Sequence, residues 1–259
     1  MNKRNIIVTG ADSGIGLETC RSLINLGFYI IMIGRNSAKL LQTQSKIDPD
    51  HQNSNVLSCD LTRRLAIKQA ITLIRHSKIQ IYGLINTAGV GYFEKVLDTT
   101  DIQIEQTFKT NTLGLIYLTK YVARLMVHQG FGHIINVASM AGKIVTPKAA
   151  IYGSSKAAVI SFSNGLRMEL KPYNVLVSTV NTGPVKTPFL KKADLSENYA
   201  KSVQKYLLNP QIVGEKIAQL LIDYRRELNL PWYMEFAAKL YPFFPQLGDY
   251  LSGDVFNKK

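Results

Sequence analysis

The sequence predicts an α/β fold, a doubly wound parallel sheet covered by helices on both faces. Three observations predict it. Short uninterrupted apolar runs alternate with amphipathic stretches at helical spacing along most of the chain. The first apolar run ends in a glycine-rich turn, Thr9-Gly10-Ala11-Asp12-Ser13-Gly14-Ile15-Gly16, which opens a helix. A chain of 259 residues, 46% hydrophobic, is enough for one large domain with a full core.

The elements follow in order. Residues 5–8 read as a short buried strand. Ile15, Leu17, Leu23, Ile24 and Leu26 suit a helix that Gly27 stops. Residues 28–33 form a continuous apolar strand ending at Gly34-Arg35. A helix is expected over 37–47, a polar loop over 48–55, a third short strand over 56–58 and a third helix over 65–74. The fourth strand, 81–85, runs into Asn86-Thr87-Ala88-Gly89. A long helix from about Ile102 to Val127 precedes the strand 132–137. Another helix covers about 149–170, followed by the strand 174–180, a helix over 212–224 and a seventh strand over 227–230. Strands of this kind alternating with helices imply Rossmann-type winding. No repeat and no linker divides the chain. Residues 1–259 are therefore read as a single dinucleotide-binding and catalytic domain, with 185–210 as a substrate lid and 229–259 as an aromatic-rich C-terminal extension.

Bulk properties exclude some classes. Nothing at the N-terminus resembles a signal peptide, because glycine and charged residues break the first apolar run well before about 18 positions. Cys20 and Cys59 are isolated and are expected to be reduced and buried in a cytoplasmic protein. The four histidines, His51, His76, His128 and His133, lack metal-ligand spacing, so no metal site is expected. The net charge is +13, and no acidic residue occurs between Glu105 and Glu169. That field favours an anionic cofactor, substrate or membrane surface. No nucleic-acid partner is expected, since no binding module or basic run interleaved with aromatics is present.

The chemistry resides in two stretches. Gly10, Gly14 and Gly16 let backbone approach a pyrophosphate at a helix N-terminus. In Tyr152-Gly153-Ser154-Ser155-Lys156, the first and last residues share a helix face. A phenol with a pKa near 10 is a poor base at neutral pH, and lowering it by ~3 units requires ~4 kcal/mol. An ammonium ~5 Å away, at an effective dielectric of ~20, supplies roughly 3 kcal/mol of that. The pair is thus able to act as a general acid/base. At the end of the second strand stands Arg35 rather than a carboxylate, which favours a 2′-phosphate and so NADP(H) over NAD(H). NAD(H) use stays open, because Ser13 is not the basic residue common in NADP enzymes of this type.

From Asn5 to Thr187 the chain resembles the short-chain dehydrogenase/reductase family. The resemblance rests on Thr9-Gly10-x-x-x-Gly14-Ile15-Gly16, Asp60, Asn86-Thr87-Ala88-Gly89, Asn111, Ser139 and Tyr152-x-x-x-Lys156, in the family's order and spacing. It implies a catalytic tetrad of Asn111, Ser139, Tyr152 and Lys156. Ser139 would polarise the substrate carbonyl, and Tyr152 would deliver a proton. Lys156 would support Tyr152 and hold the nicotinamide ribose, while Asn111 would fix a water leading to Lys156. The resemblance also implies cofactor contacts from Gly10, Asp12, Ser13, Gly14, Ile15, Gly16, Arg35, Asp60, Leu61, Asn86, Ala88, Gly89, Tyr152 and Lys156. Thr182-Gly183-Pro184-Val185-Lys186-Thr187 departs from the family's usual Pro-Gly, yet Gly183, Val185 and Thr187 still align with its nicotinamide contacts.

The C-terminal third has no such guide. Lys186, Lys191 and Lys192 in the lid suit an acidic substrate or a solvated surface. Trp232, Phe236, Leu240 and Phe243 recur near helical spacing within the aromatic stretch 231–245. That stretch closes the substrate pocket, packs on a neighbouring subunit, lies at a membrane interface or caps the core. The expectation is an NADP(H)-preferring carbonyl reductase or alcohol dehydrogenase acting on a hydrophobic ketone, a steroid-like compound or a 3-oxoacyl thioester. A homodimer or homotetramer is expected, located in the cytoplasm. The alternatives are an NADP(H)-binding sensor or scaffold with little turnover, and a reductase peripherally associated with the inner membrane surface.

Overall fold

A computed structural model describes residues 4–144, 146–194 and 202–246. Seven parallel strands lie in the order β3-β2-β1-β4-β5-β6-β7. They are β1 (Asn5–Thr9), β2 (Tyr29–Gly34), β3 (Ser54–Ser58), β4 (Ile81–Asn86), β5 (Gly132–Val137), β6 (Val175–Thr182) and β7 (Glu227–Leu230). The helices are α1 (Gly14–Asn25), α2 (Ser37–Ile47), α3 (Arg64–His76), α4 (Asp101–Phe108), α5 (Leu115–Gln129), α6 (Ala150–Leu170), α7 (Pro188–Ala193), α8 (Pro210–Gln219) and α9 (Trp232–Leu240).

The inner strands are mainly apolar because both faces of the sheet are covered. Successive side chains point to opposite faces, and the core divides accordingly. Ile7, Ile31, Ile33, Leu84 and Ile134 meet α3, α5 and the end of α6. Ile6, Val8, Ile30, Met32, Ile85 and Ile135 meet α1, α2 and α8 on the other side. The strand order reverses direction between β1 and β4, where an open α/β sheet leaves a crevice at its carboxyl edge.

One expected element is different in kind. The helix read as continuous from Ile102 to Val127 is interrupted by a π-helical segment, Lys109–Gly114, between α4 and α5. The widened turn is tied to α6: Asn111 Nδ2 donates to Ser155 Oγ (3.0 Å) and Thr112 Oγ1 donates to the Ser155 carbonyl (3.1 Å). Residues 195–201 of the expected lid and 247–259 of the expected extension lie outside the described residues. Both cysteines are buried. Among the described residues no helix is long and apolar enough to cross a membrane.

His133, at the start of β5, is buried, and its Nε2 lies 2.8 Å from Ser178 Oγ. Ser178 donates its one hydroxyl hydrogen to the Arg225 carbonyl, so Nε2 carries the proton and donates to Ser178. Burial depresses its pKa to about 4. The unfolded chain then binds more protons than the folded one between about 4 and 6.5, so stability present above 6.5 is lost as pH falls through that window. A depression of this size corresponds to about 3 kcal/mol. Thermal melts from pH 7 to pH 4 should therefore show a steep loss of Tm, and His133→Gln should show a much shallower one.

Candidate active site

The turn after β1 is built by close backbone approach. Gly10 and Gly14 have φ of +63° and +54°, and a Cβ on Gly16 would lie 2.2 Å from the Gly10 carbonyl oxygen. The Thr9 hydroxyl accepts from the amides of Thr87 and Ala88 (both 3.1 Å), and the Thr87 hydroxyl donates to the Thr9 carbonyl. The ends of β1 and β4 are thereby locked together. Thr87 makes this lock with its hydroxyl.

Above these strand ends opens a cavity of about 820 Å³. Every sequence-predicted site residue lines it except two: Asn86 and Asn111 sit behind its wall. Asn86 is buried and donates to Thr119 Oγ1 (3.0 Å) and Asn136 Oδ1 (2.8 Å), binding β4 to α5 and β5. Asn111 grips Val90 at both ends: its Nδ2 donates to the Val90 carbonyl, and its Oδ1 accepts from the Val90 amide (each 2.8 Å). Its side chain is thus committed to shaping the loop after β4, beyond the water-holding role that the resemblance implies.

Tyr152 and Lys156 project from one face of α6 into the cavity. Lys156 is buried, its Nζ donates to the Val137 carbonyl (3.0 Å) and lies 5.9 Å from the centre of the Tyr152 ring. Burial lowers its pKa to about 8. Ser139, just past β5, accepts from the Ala141 amide (3.1 Å) and so caps a short turn. Its own proton goes to the Thr182 carbonyl at 3.3 Å, long for an O–H···O bond. That proton is available to a better acceptor in the cavity.

The sequence reading missed two features of the wall. Lys39, in the first turn of α2, reaches Asp12 Oδ2 at 2.9 Å, and both residues line the cavity beside Arg35. A signal existed, since a cation in a helix's first turn opposes the helix dipole and needs another reason to be there. Phe93 and Phe189 box Tyr152, with ring centres 5.6 Å from its own in each case. Tyr233 and Met234 of α9 also line the cavity.

A family model for short chain dehydrogenase matches residues 4–198. The chain belongs to the short-chain dehydrogenase/reductase family. It is 30% identical over 228 residues to an uncharacterized oxidoreductase of Staphylococcus haemolyticus, covering 83% of this chain and 95% of that one. It is 30% identical over 234 residues to the probable short-chain type dehydrogenase/reductase VdlC of Helicobacter pylori, covering 85% and 84%. Among solved structures, a serine dehydrogenase complexed with NADP+ has a TM-score of 0.79 at 28% identity, covering 87% of this chain and 94% of that one. A family member from Burkholderia phymatum in complex with NAD has a TM-score of 0.86 at 19% identity, covering 95% of each chain, and shows the shared fold. The protein is accordingly an NAD(P)-dependent oxidoreductase.

The residues present fit a dinucleotide. The glycine turn leaves a cradle that a Cβ would fill, the cavity runs from Arg35 to Tyr152, and Lys39 lines it together with Arg35. Gly16→Ala should abolish dinucleotide binding in a fluorescence titration and lower Tm, since the added methyl overlaps backbone and costs about 1–3 kcal/mol.

Proposed function

We propose that this oxidoreductase interconverts a hydrophobic ketone and its alcohol, preferring NADP(H), with Tyr152 as the general acid/base. The observation that carries the reading is the placement of Tyr152 beside Lys156 in the wall of the cavity, with the rings of Phe93 and Phe189 packed around it. The bound nicotinamide supplies the hydride.

The chain's own residues do the rest. The Ser139 hydroxyl donates to the carbonyl oxygen and holds it toward Tyr152. The Tyr152 hydroxyl passes its proton to that oxygen as negative charge develops there. The Lys156 ammonium stabilises the resulting phenolate and donates to the ribose hydroxyls. Lys156 Nζ and Asn111 Oδ1 lie 3.5 Å and 3.4 Å from where a Cβ on Gly89 would stand. This small polar space suits a water that returns the proton to Lys156. In the oxidation direction Tyr152 accepts the alcohol proton instead. The apolar wall of Phe93, Ala149, Phe189 and Leu190 excludes water from the reacting atoms and selects an apolar substrate body, a ketone or a 3-oxoacyl chain.

The cofactor preference rests on charge. Arg35 offers a planar fork for a phosphate, and Lys39 neutralises the Asp12 carboxylate that would otherwise repel one. The actinorhodin polyketide ketoreductase, solved with NADPH, resembles this chain with a TM-score of 0.80 at 25% identity, covering 88% of this chain and 95% of that one. That likeness supports both the ketone substrate and the phosphorylated cofactor.

Two measurements test the reading. Tyr152→Phe should lower kcat by at least ~10²-fold while NADPH binding, followed by fluorescence, stays near that of the parent. Equal rates in the two proteins would sink the proposal. Lys39→Ala should lower kcat/KM for NADPH by ~10-fold, about 1.4 kcal/mol, with a much smaller change for NADH.

A further inference from the structure

Helix α9 is largely apolar on both its sides, unlike an ordinary surface helix. Pro231, Met234, Glu235, Ala238 and Tyr241 are its half-buried side, resting on β7 and the Met140–Gly142 turn. Contact there is close: the Gly183 amide donates to the Leu230 carbonyl at 2.6 Å, and a Cβ on Gly183 would lie 3.0 Å from Met234 Sδ. The outward side holds Trp232 (78% exposed), Phe236 (65%), Phe243 (76%) and Phe244 (60%), with Tyr233 and Leu240 beside them. Lys239 is the one charge between residues 236 and 244. An amphipathic helix that packs on its own core puts charge outward and apolar residues inward. A contiguous aromatic face of this kind marks an interaction surface.

Its surroundings indicate what covers it. Tyr233 lines the cavity together with Tyr206 and Lys192, so the aromatic face and the basic lid segment border the same opening. Lys192 lines that opening, and Lys186, Lys191 and Lys205 are exposed elsewhere on the same segment, on a chain of net charge +13. A second copy of the chain fits poorly, because a two-fold interface sets each patch against itself and would bring these lysines near their counterparts. An anionic lipid surface answers both features. Trp, Tyr and Phe settle at the headgroup boundary, and flanking lysines are drawn to acidic headgroups. Nine residues cannot span a bilayer, but they can lie in its interface.

We propose that the outer face of α9 and the turn through Phe244 seats the protein on an anionic membrane surface, so that a carbonyl substrate dissolved in the lipid reaches the cavity past Tyr233 and Met234. The seat stands on the exposed face alone; the delivery of substrate rests also on the function proposed above.

Trp232 is the sole tryptophan of the chain, so its fluorescence reports on this helix. Full-length protein is mixed with phosphatidylcholine vesicles, with or without phosphatidylserine, and sedimented. Expected are pelleting with the anionic vesicles, a blue shift of Trp232 emission, and binding at least ~10-fold weaker for Phe236→Glu/Phe243→Glu, whose Tm should match the parent's because both rings face solvent. Protein left in the supernatant, or pelleting that the double substitution leaves unchanged, overturns the seat. So does a lipid-free dimer in the ultracentrifuge that the substitution dissociates. For delivery, NADPH oxidation is compared with a water-soluble short ketone and with 2-dodecanone dissolved in vesicles. The double variant should keep the parent's rate on the first and lose at least ~10-fold on the second. Equal loss on both, or none on either, overturns delivery. Failure of the redox reading appears separately, as no turnover of either ketone by a protein that still binds vesicles.

Discussion

A lysine ammonium held out of water on a single backbone carbonyl is the constraint around which this molecule is arranged. Desolvating a cation costs several kcal/mol unless it is paired and hydrogen-bonded, and the depressed pKa of Lys156 records that cost. Val137 O meets one of its three donors. Lys156 also lines the cavity, where hydroxyl oxygens can meet its remaining donors. Ribose hydroxyls and an ionised phenol are such groups. In the function proposed above, one buried charge would serve both the sugar and the phenolate.

Holding that charge in position requires a rigid frame, and the frame is polar where the rest of the core is apolar. Asn86 reaches Asn136, which donates to Ser163 on α6. Asn111 and Thr112 of the π segment fasten α6 one position before Lys156. The π segment is thus explained by what it touches. Opening one turn aims Asn111 at Val90 and Ser155 together, and the ladder irregularity is the structural cost of that aim. Such local widening in a helix accompanies functional sites elsewhere.

Most of the scaffold was legible in the sequence because its signals are local. Strand runs, the glycine turn and the helix stop at Gly27 depend on neighbours a few residues apart. Asn111, Ser139, Tyr152 and Lys156 were singled out through the resemblance to a family, since nothing in the spacing alone brings Ser139 and Tyr152 to one cavity. What could not be read was set by distant partners. Lys39 acquires its meaning from Asp12, on another turn, and Phe93 and Phe189 acquire theirs from packing on Tyr152. The π segment was not read from the sequence: its buried positions are Thr110, Asn111, Thr112 and Gly114, and widening of the turn depends on their bonds to distant residues. The C-terminal aromatics show the limit most clearly. Their helical spacing is real, but periodicity says that one side of a helix is apolar, without saying which way that side faces.

The margins of the sheet have a consequence of their own. An open sheet must end in strands whose outer backbone groups lack a neighbour, which invites another polypeptide to continue the ladder. Here the outermost members are β3, a polar five-residue segment, and β7, only four residues long with Glu227 and Asn229 within it. Asn181 donates to both of those side chains, and Lys143 pairs with Glu227. Both rims are brief and hydrophilic, which makes runaway edge-to-edge growth unfavourable even at the high local densities reached when a protein gathers on a surface.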